Sequence, residues 1–291
     1  MVWSFHARRL RHPVPLAYLT DRVVFSQSPP LRLVQCADCT HIYRNPRERA
    51  ETVRRTYSET DLDETVLESL FENQRAECRG QLARLLAFSP GINRGLEVGS
   101  YVGGFLAAAR ERGIAFEGID VSAAASAFAA KRGLRIHNCD IEEFSASGSF
   151  DAVAIWNTFE QLPNVHTAAL VSRRLLRDGG ALVVRVPNAA FYKEWRRRLD
   201  GPLSSLAERL LVHNNLLGFP YREGFTALSI NRLLSDSGFS VRQVHGDTLA
   251  PVADRWTRAP AAVDERVTKT LQRALQHRWR APWVEVYAVA R

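Results

Sequence analysis

The arrangement that most constrains this chain is a series of short apolar runs, GLEVG, FEGIDV, LRIHN, FDAVAIW and GALVVRVP, most of them separated by stretches of helix length such as Gly104 to Glu111 and Val165 to Leu176. Strands alternating with helices at this spacing build parallel β/α/β units, and a near-continuous apolar strand needs cover on both faces. A doubly wound α/β fold follows from that rhythm alone.

Around this repeat the chain is uneven. The apolar positions Val66, Leu67, Leu70, Phe71, Cys78, Leu82 and Leu85 recur at helical spacing and predict a helix from about Asp63 to Phe88, ended by Ser89-Pro90-Gly91. Cys78 lies on that stripe and reads as a core residue. After Pro187-Asn188 the alternation breaks for nearly forty residues. It resumes with a helix near Leu228 to Ser237, a strand at FSVRQVHG, a helix near Val263 to Gln276 and a final strand at WVEVYAVAR. An insertion after the fifth strand hangs over the carboxyl edge of an open sheet, so residues 188–225 are a candidate lid. Residues 1–60, rich in proline and arginine, read as an irregular N-terminal segment ahead of a domain spanning 61–291.

The turn GLEVGSYVGGF follows a strand and opens a helix, the context in which a glycine-rich loop carries meaning. Gly99 and Gly103 would let backbone approach a ligand, while the helix from Gly104 directs its N–H groups and positive dipole end at whatever lies there. Tyr101 stands where a dinucleotide loop has its middle glycine, which disfavours a nicotinamide cofactor. Asp120 comes 21 residues after Gly99, at the close of the next strand, and its two carboxylate oxygens match the vicinal diol of a ribose. Asp140, in CDIEEF, is placed to accept a hydrogen bond from an adenine amino group, with Ile141 packing on the ring. An adenosyl cofactor fits this set.

The formal charge of +8 raises a nucleic-acid reading. Yet lysine stands only at 131, 193 and 269, and the arginines are scattered, a pattern of GC-rich coding rather than a phosphate-binding stripe. Arg196, Arg197 and Arg198 read as a solvated helix face. Four cysteines form no disulfide framework, no run of about 18 apolar residues is present, and the N-terminus lacks a secretory pattern. A cytoplasmic protein without a membrane span is expected.

LEVGSYVGGF, GIDVS, NCDIEEF, FDAVAIWNTFEQLPN, LLRDGGALVVRVPN and GFPYREGFTALSINRLLSDSGF together resemble, in order and spacing, the class I methyltransferases that include ubiquinone-type O-methyltransferases and sugar C-methyltransferases. The resemblance covers about 94–247. It implies a Rossmann-like sheet of seven strands with the last antiparallel, WVEVYAVAR serving as an edge hairpin partner of FSVRQVHG. It also implies S-adenosylmethionine as cofactor, released as S-adenosylhomocysteine. Glu97, Gly99, Gly103, Asp120, Asp140 and Ile141 fall on the family's binding motifs, with Ser100, Tyr101, Phe105 and Val121 beside them.

Two departures stand out. Where the family shows W-H-x-x-E-H, this chain has Trp156-Asn157-Thr158-Phe159-Glu160-Gln161. Amides cannot accept a proton at neutral pH, so Asn157 and Gln161 are expected to orient a substrate or the cofactor's amino acid end. A base would have to come from elsewhere, with His213, Tyr221, Glu223 and His245 as candidates; His166 reads as solvent-facing. RLVQCADCTHIYRNP resembles the second half of a small zinc ribbon whose first knuckle survives only as His12-Pro13-Val14-Pro15. Cys36, Cys39, His12 and His41 are then the possible ligands, an incomplete set, and a remnant packed without metal is expected. The overall expectation is methyl transfer to oxygen or carbon of a small molecule. The alternatives are a non-catalytic cofactor-binding protein and a nucleic-acid methyltransferase.

Overall fold

The computed structural model describes residues 2–4, 32–59, 63–146, 148–216, 219, 222–251, 259–275 and 280–291. His12 and Tyr221 lie outside them. By compactness the chain divides into two units. One comprises Glu48–Arg185, Leu233–Gln243 and Val286–Arg291, and the other Met1–Arg47, Val186–Arg232 and Val244–Glu285.

The first unit opens with α1 (Ala50–Glu59) and α2 (Glu64–Phe88). Asp63 caps α2 by accepting the Thr65 N–H at 2.7 Å, and the helical stripe named above buries Leu67, Phe71, Cys78, Leu82 and Leu85. Burying each large side chain of such a stripe contributes about 1.5–3 kcal/mol, which is what holds a 25-residue helix in place. Then come β4 (Arg94–Val98), α3 (Gly104–Glu111), β5 (Ala115–Asp120), α4 (Ala123–Ala130), β6 (Ile136–Asn138), β7 (Phe150–Trp156), α5 (Val165–Leu175), β8 (Leu176–Pro187), α8 (Ala227–Asp236), β10 (Phe239–Asp247) and β11 (Trp283–Ala290). The elements numbered between β8 and α8 belong to the second unit.

The seven strands lie in the order β10-β11-β8-β7-β4-β5-β6. β6, β5, β4, β7 and β8 run parallel. At one end of β11 the Asn188 N–H, just past β8, donates to Pro282 O, and at the other the Arg291 N–H donates to Gly238 O, just ahead of β10. Those end-to-end matches set β11 antiparallel to both neighbours. The fold is thus the seven-stranded, Rossmann-like sheet of the class I methyltransferases. One detail differs from expectation. β11 is inserted between β8 and β10 rather than lying at the edge, because an antiparallel strand buried on both sides can pair with each. The chain adds β5 and β6 on one side of β4 and then crosses to β7 on the other, so the strand order switches between β4 and β7, where open sheets of this kind form their ligand crevice.

The second unit corrects the irregular reading of residues 1–60. β1 (Val2–Ser4), β2 (Arg32–Gln35) and β3 (Ile42–Arg44) form an antiparallel sheet, completed by β9 (Glu223–Gly224). The strands are only two to four residues long and pair with a segment about 180 positions away, so no local period betrays them. α1 in the first unit was equally hidden. The insertion after β8 supplies α6 (Ala189–Arg196), α7 (Ser204–Val212) and β9, and these pack Phe191, Tyr192, Leu211 and Phe219 against Leu33, Ile42 and Trp283. α9 (Ala259–Leu275) belongs to the same unit.

α9 carries a buried ion pair. Lys269 Nζ donates to Glu265 Oε1 at 2.6 Å and to Ala250 O at 2.7 Å, with both side chains almost fully excluded from solvent. Removing one partner strands a buried charge, whereas removing both does not. Lys269→Met alone is therefore expected to lower the unfolding free energy by about 3–5 kcal/mol. In urea denaturation the double variant Glu265→Leu/Lys269→Met recovers most of that loss.

Candidate functional site

β4 delivers the chain into a turn that only a particular set of residues can make. Gly99 (φ +74°), Tyr101 (φ +49°) and Gly103 (φ +83°) all lie in the left-handed region, where a side chain is strained. The Gly99 and Ser100 N–H groups donate to Ile119 O at 2.9 and 3.1 Å, and the Ser100 hydroxyl donates to Glu97 O at 3.1 Å. A Cβ on Gly99 would sit 2.3 Å from Thr158 Oγ1. The glycine thus lets the turn close against the segment after β7. Gly104 meets a similar constraint: its N–H donates to Gln74 Oε1 at 3.0 Å, and a Cβ there would lie 2.8 Å from Arg75 N. The first N–H of α3 is therefore taken by α2, and the dipole end is less open than the motif implies. Phe105 is fully buried against Phe116 and Trp156, with ring centroids 5.0 and 5.5 Å away. Its side chain belongs to the core beneath the loop.

Asp120 ends β5 and ties two elements together. Oδ2 accepts the Tyr101 N–H and Oδ1 the Ser122 N–H, each at 2.8 Å, while Asn138 Nδ2 donates to its carbonyl at 3.0 Å. Each carboxylate oxygen retains a second acceptor site. Burial raises the Asp120 pKa against the lowering effect of those two N–H donors. Val121 is half-buried beside it. Glu97 is buried more completely, its Oε2 has no hydrogen-bond partner among the described residues, and burial holds its pKa well above the ordinary carboxylate range. A buried acid with an unpartnered oxygen at the head of the loop and a doubly clamped acid at the next strand end are the acceptor chemistry that an ammonium group and a ribose diol require.

Asp140 follows β6. Its Oδ1 accepts the Glu142 N–H at 3.1 Å and its Oδ2 pairs with Arg54 of α1 at 3.1 Å; Ile141 is buried next to it. Beyond β7, Asn157 takes a left-handed φ of +56°, which asparagine tolerates. Its Oδ1 accepts from Arg185 Nη1 at 3.2 Å, and Arg185, fully buried on β8, pairs with Glu77 Oε1 at 2.7 Å. Gln161 Nε2 donates to Asn157 O at 2.5 Å and its Oε1 accepts the Tyr57 hydroxyl. The amides that replace the family's histidines are thus committed to shaping this turn. Arg54, Tyr57, Gln74 and Arg185 went unread in the sequence. Only Arg185 left a signal, a charge inside the apolar run ALVVRVP.

The remaining candidates disperse. His213, at the end of α7, is buried with Nε2 2.9 Å from Asp264 Oδ2, and Nδ1 has no hydrogen-bond partner among the described residues. Glu223 is held by His41 Nε2 at 2.8 Å and by Arg47, so a candidate base and a candidate metal ligand have found each other. His245 is exposed on β10 and His166 is exposed on α5. Cys36 and Cys39 lie in the turn of the β2–β3 hairpin, where the Cys36 N–H donates to His41 O at 2.8 Å and the backbone N–H groups of Cys39 and Asp38 lower the Cys36 thiol pKa. Among the described residues no three His, Cys, Asp or Glu side chains gather as a metal site, and no helix is long and apolar enough to cross a membrane.

The strand order and the loop-and-acid geometry define a nucleoside-cofactor fold of the methyltransferase type. A family model described as a methyltransferase domain matches residues 70–244, and the chain belongs to that family. It is an enzyme whose cofactor is S-adenosylmethionine. Solved structures of similar fold include an S-adenosylmethionine-dependent methyltransferase from Archaeoglobus fulgidus, 18% identical over 77% of this chain and 98% of that one, at a TM-score of 0.51. Another is the plantazolicin methyltransferase BpumL in complex with S-adenosylhomocysteine, 12% identical over 82% and 93%, at 0.51. A third is the (4+2)-cyclase SpnF, 18% identical over 83% and 96%, at 0.50. A search of curated proteins finds no match to the sequence.

Glu97 supplies a test with a definite sign. Its raised pKa means that the folded state binds a proton more readily than the unfolded chain, so its contribution is fully present below the ordinary carboxylate range and is lost as pH rises through the folded value. Glu97→Gln, neutral at every pH, is expected to raise the thermal midpoint at pH 8 relative to the parent and to leave it unchanged at pH 4. Equal shifts at both pH values would count against a buried, proton-hungry acid.

Proposed function

We propose that this enzyme methylates a hydroxyl or acidic carbon of a small molecule. The observation that carries the proposal is the pair of buried acids at neighbouring strand ends, Glu97 with an oxygen lacking a hydrogen-bond partner among the described residues and Asp120 clamped by the Tyr101 and Ser122 N–H groups, which suits the amino acid and ribose of an adenosyl cofactor. A small acceptor is also in keeping with the plantazolicin methyltransferases among the structures of similar fold, one of them bound to a triazolic desmethylPZN analog.

When bound, the cofactor supplies a methyl group already made electrophilic by its sulfonium. The chain's part is placement and proton removal. In this reading Asp120 accepts from both ribose hydroxyls, Asp140 accepts from the adenine amino group, Ile141 covers the ring, and Glu97 and the Ser100–Tyr101 backbone border the amino acid end. Asn157 and Gln161 hold the turn in shape. Residues 188–225 form the acceptor-side insertion of a domain spanning 61–291, of the ubiquinone-type and sugar-methylating kind, and the Cys36–His41 turn is a ribbon remnant packed without metal.

Turnover of radiolabelled cofactor with a panel of hydroxylated and carbon-acid metabolites, read as S-adenosylhomocysteine formed, tests the activity. Strong, steeply salt-dependent RNA or DNA binding with methylation of the nucleic acid would replace this reading. Asp120→Ala is expected to weaken cofactor binding at least tenfold by calorimetry, the scale of losing two charge-assisted hydrogen bonds.

A further inference from the structure

We infer that α1 is a strap across the cofactor crevice that must be released for the cofactor to exchange. The inference rests on the cofactor assignment proposed above. Arg54 and Tyr57, one helical turn apart on α1, hold opposite ends of the crevice. Arg54 Nη2 lies 3.1 Å from Asp140 Oδ2, just past β6, and the Tyr57 hydroxyl donates to Gln161 Oε1, just past β7. A second arm of Arg54 reaches Glu143 at 2.9 Å.

The strand order turns these two bonds into a bridge. β7 and β6 are separated by β4 and β5, so the anchors stand about three strand spacings apart, roughly 14 Å. One turn of helix covers about 5 Å of that along its axis, and the two long side chains, reaching opposite ways, supply the rest. Between the anchors lie the carboxyl ends of β4 and β5, which carry the Gly99–Gly103 turn and Asp120. Val53, buried next to Arg54, seats the helix. A cofactor held by Asp120 and Asp140 therefore lies beneath α1, with Arg54 and the adenine amino group sharing one carboxylate.

The bonds suit a strap. Arg54 is 44% exposed, so water can compete for its ion pairs although Asp140 itself is only 7% exposed, and the Tyr57 hydroxyl donates a neutral hydrogen bond.

The test is stopped-flow release of S-adenosylhomocysteine from the full-length protein, by displacement with excess S-adenosylmethionine. Arg54→Ala and Tyr57→Phe are each expected to raise the dissociation rate roughly threefold, the scale of partly screened ion pairs or of one neutral hydrogen bond, and the pair together more than either. In the parent, hydrogen exchange across Ala50–Glu59 should slow on adding S-adenosylhomocysteine, a readout that does not depend on any variant folding. Dissociation rates unchanged in folded single and double variants, or exchange in α1 indifferent to the cofactor, would overturn the strap. Failure of the parent to bind S-adenosylhomocysteine, or parental affinity in Asp120→Ala, would instead overturn the cofactor assignment beneath it.

Discussion

The arrangement of the crevice depends on one carboxylate. Asp120 receives the Tyr101 N–H on one oxygen and the Ser122 N–H on the other, so the turn after β4 and the entry to α4 are fixed to each other through a single side chain. The Tyr101 contact requires the left-handed backbone at 99, 101 and 103. Closure of the turn brings Ser100 over Gly118, where a Cβ would lie 2.0 Å from the serine hydroxyl oxygen. Each condition admits few residues. The motif is therefore a statement about how two strand ends are held at a fixed separation, and its chemistry comes from the acceptor capacity the acid has left.

A comparable economy governs the turn after β7. A buried guanidinium is costly unless paired, yet Arg185 sits at the centre of the sheet's carboxyl edge with no solvent exposure. It is stabilised by Glu77 from α2 and by the Asn157 side chain. Asn157 in turn carries the Gln161 bond. An amide both donates and accepts, so Gln161 can serve Asn157 and Tyr57 at once, a two-sided role that a carboxylate could not fill. The loss of histidine from this motif is thus coupled to a hydrogen-bond relay running from α2 through β8 to α1.

What the sequence disclosed follows the range of the interactions involved. Strands at FEGIDV and FDAVAIW, and the helices at Gly104 and Val165, were legible because their periodicity is local. The loop acids were legible because strand-end spacing fixes where they fall. Short strands β2 and β3 were not, since runs of three or four residues show no period and the pairing of β3 with β9 is written in residues about 180 positions away. A motif records position and not the direction of a side chain, and at Phe105 that direction is into the core. Arg54 and Tyr57 were invisible for a related reason. An exposed arginine among many arginines has no signature until a helix places it beside Asp140.

The strength of the contacts on α1 bears on how such an enzyme turns over. A crevice shut by fully buried ion pairs would hold its cofactor too long, because breaking such a pair costs about 3–5 kcal/mol. Partly exposed pairs contribute about 0–1 kcal/mol each, and a neutral hydrogen bond about the same. Contacts of this strength bias the helix toward closure while leaving the open state accessible within a catalytic cycle. Arg54 also sets a local charge condition. Asp140 and Glu143 lie together at the adenine end, and one guanidinium bonded to both offsets their repulsion. When α1 lifts, those two acids are left facing each other, so opening carries an electrostatic cost that closing removes. The same residue that covers the crevice therefore also supplies part of the force that shuts it.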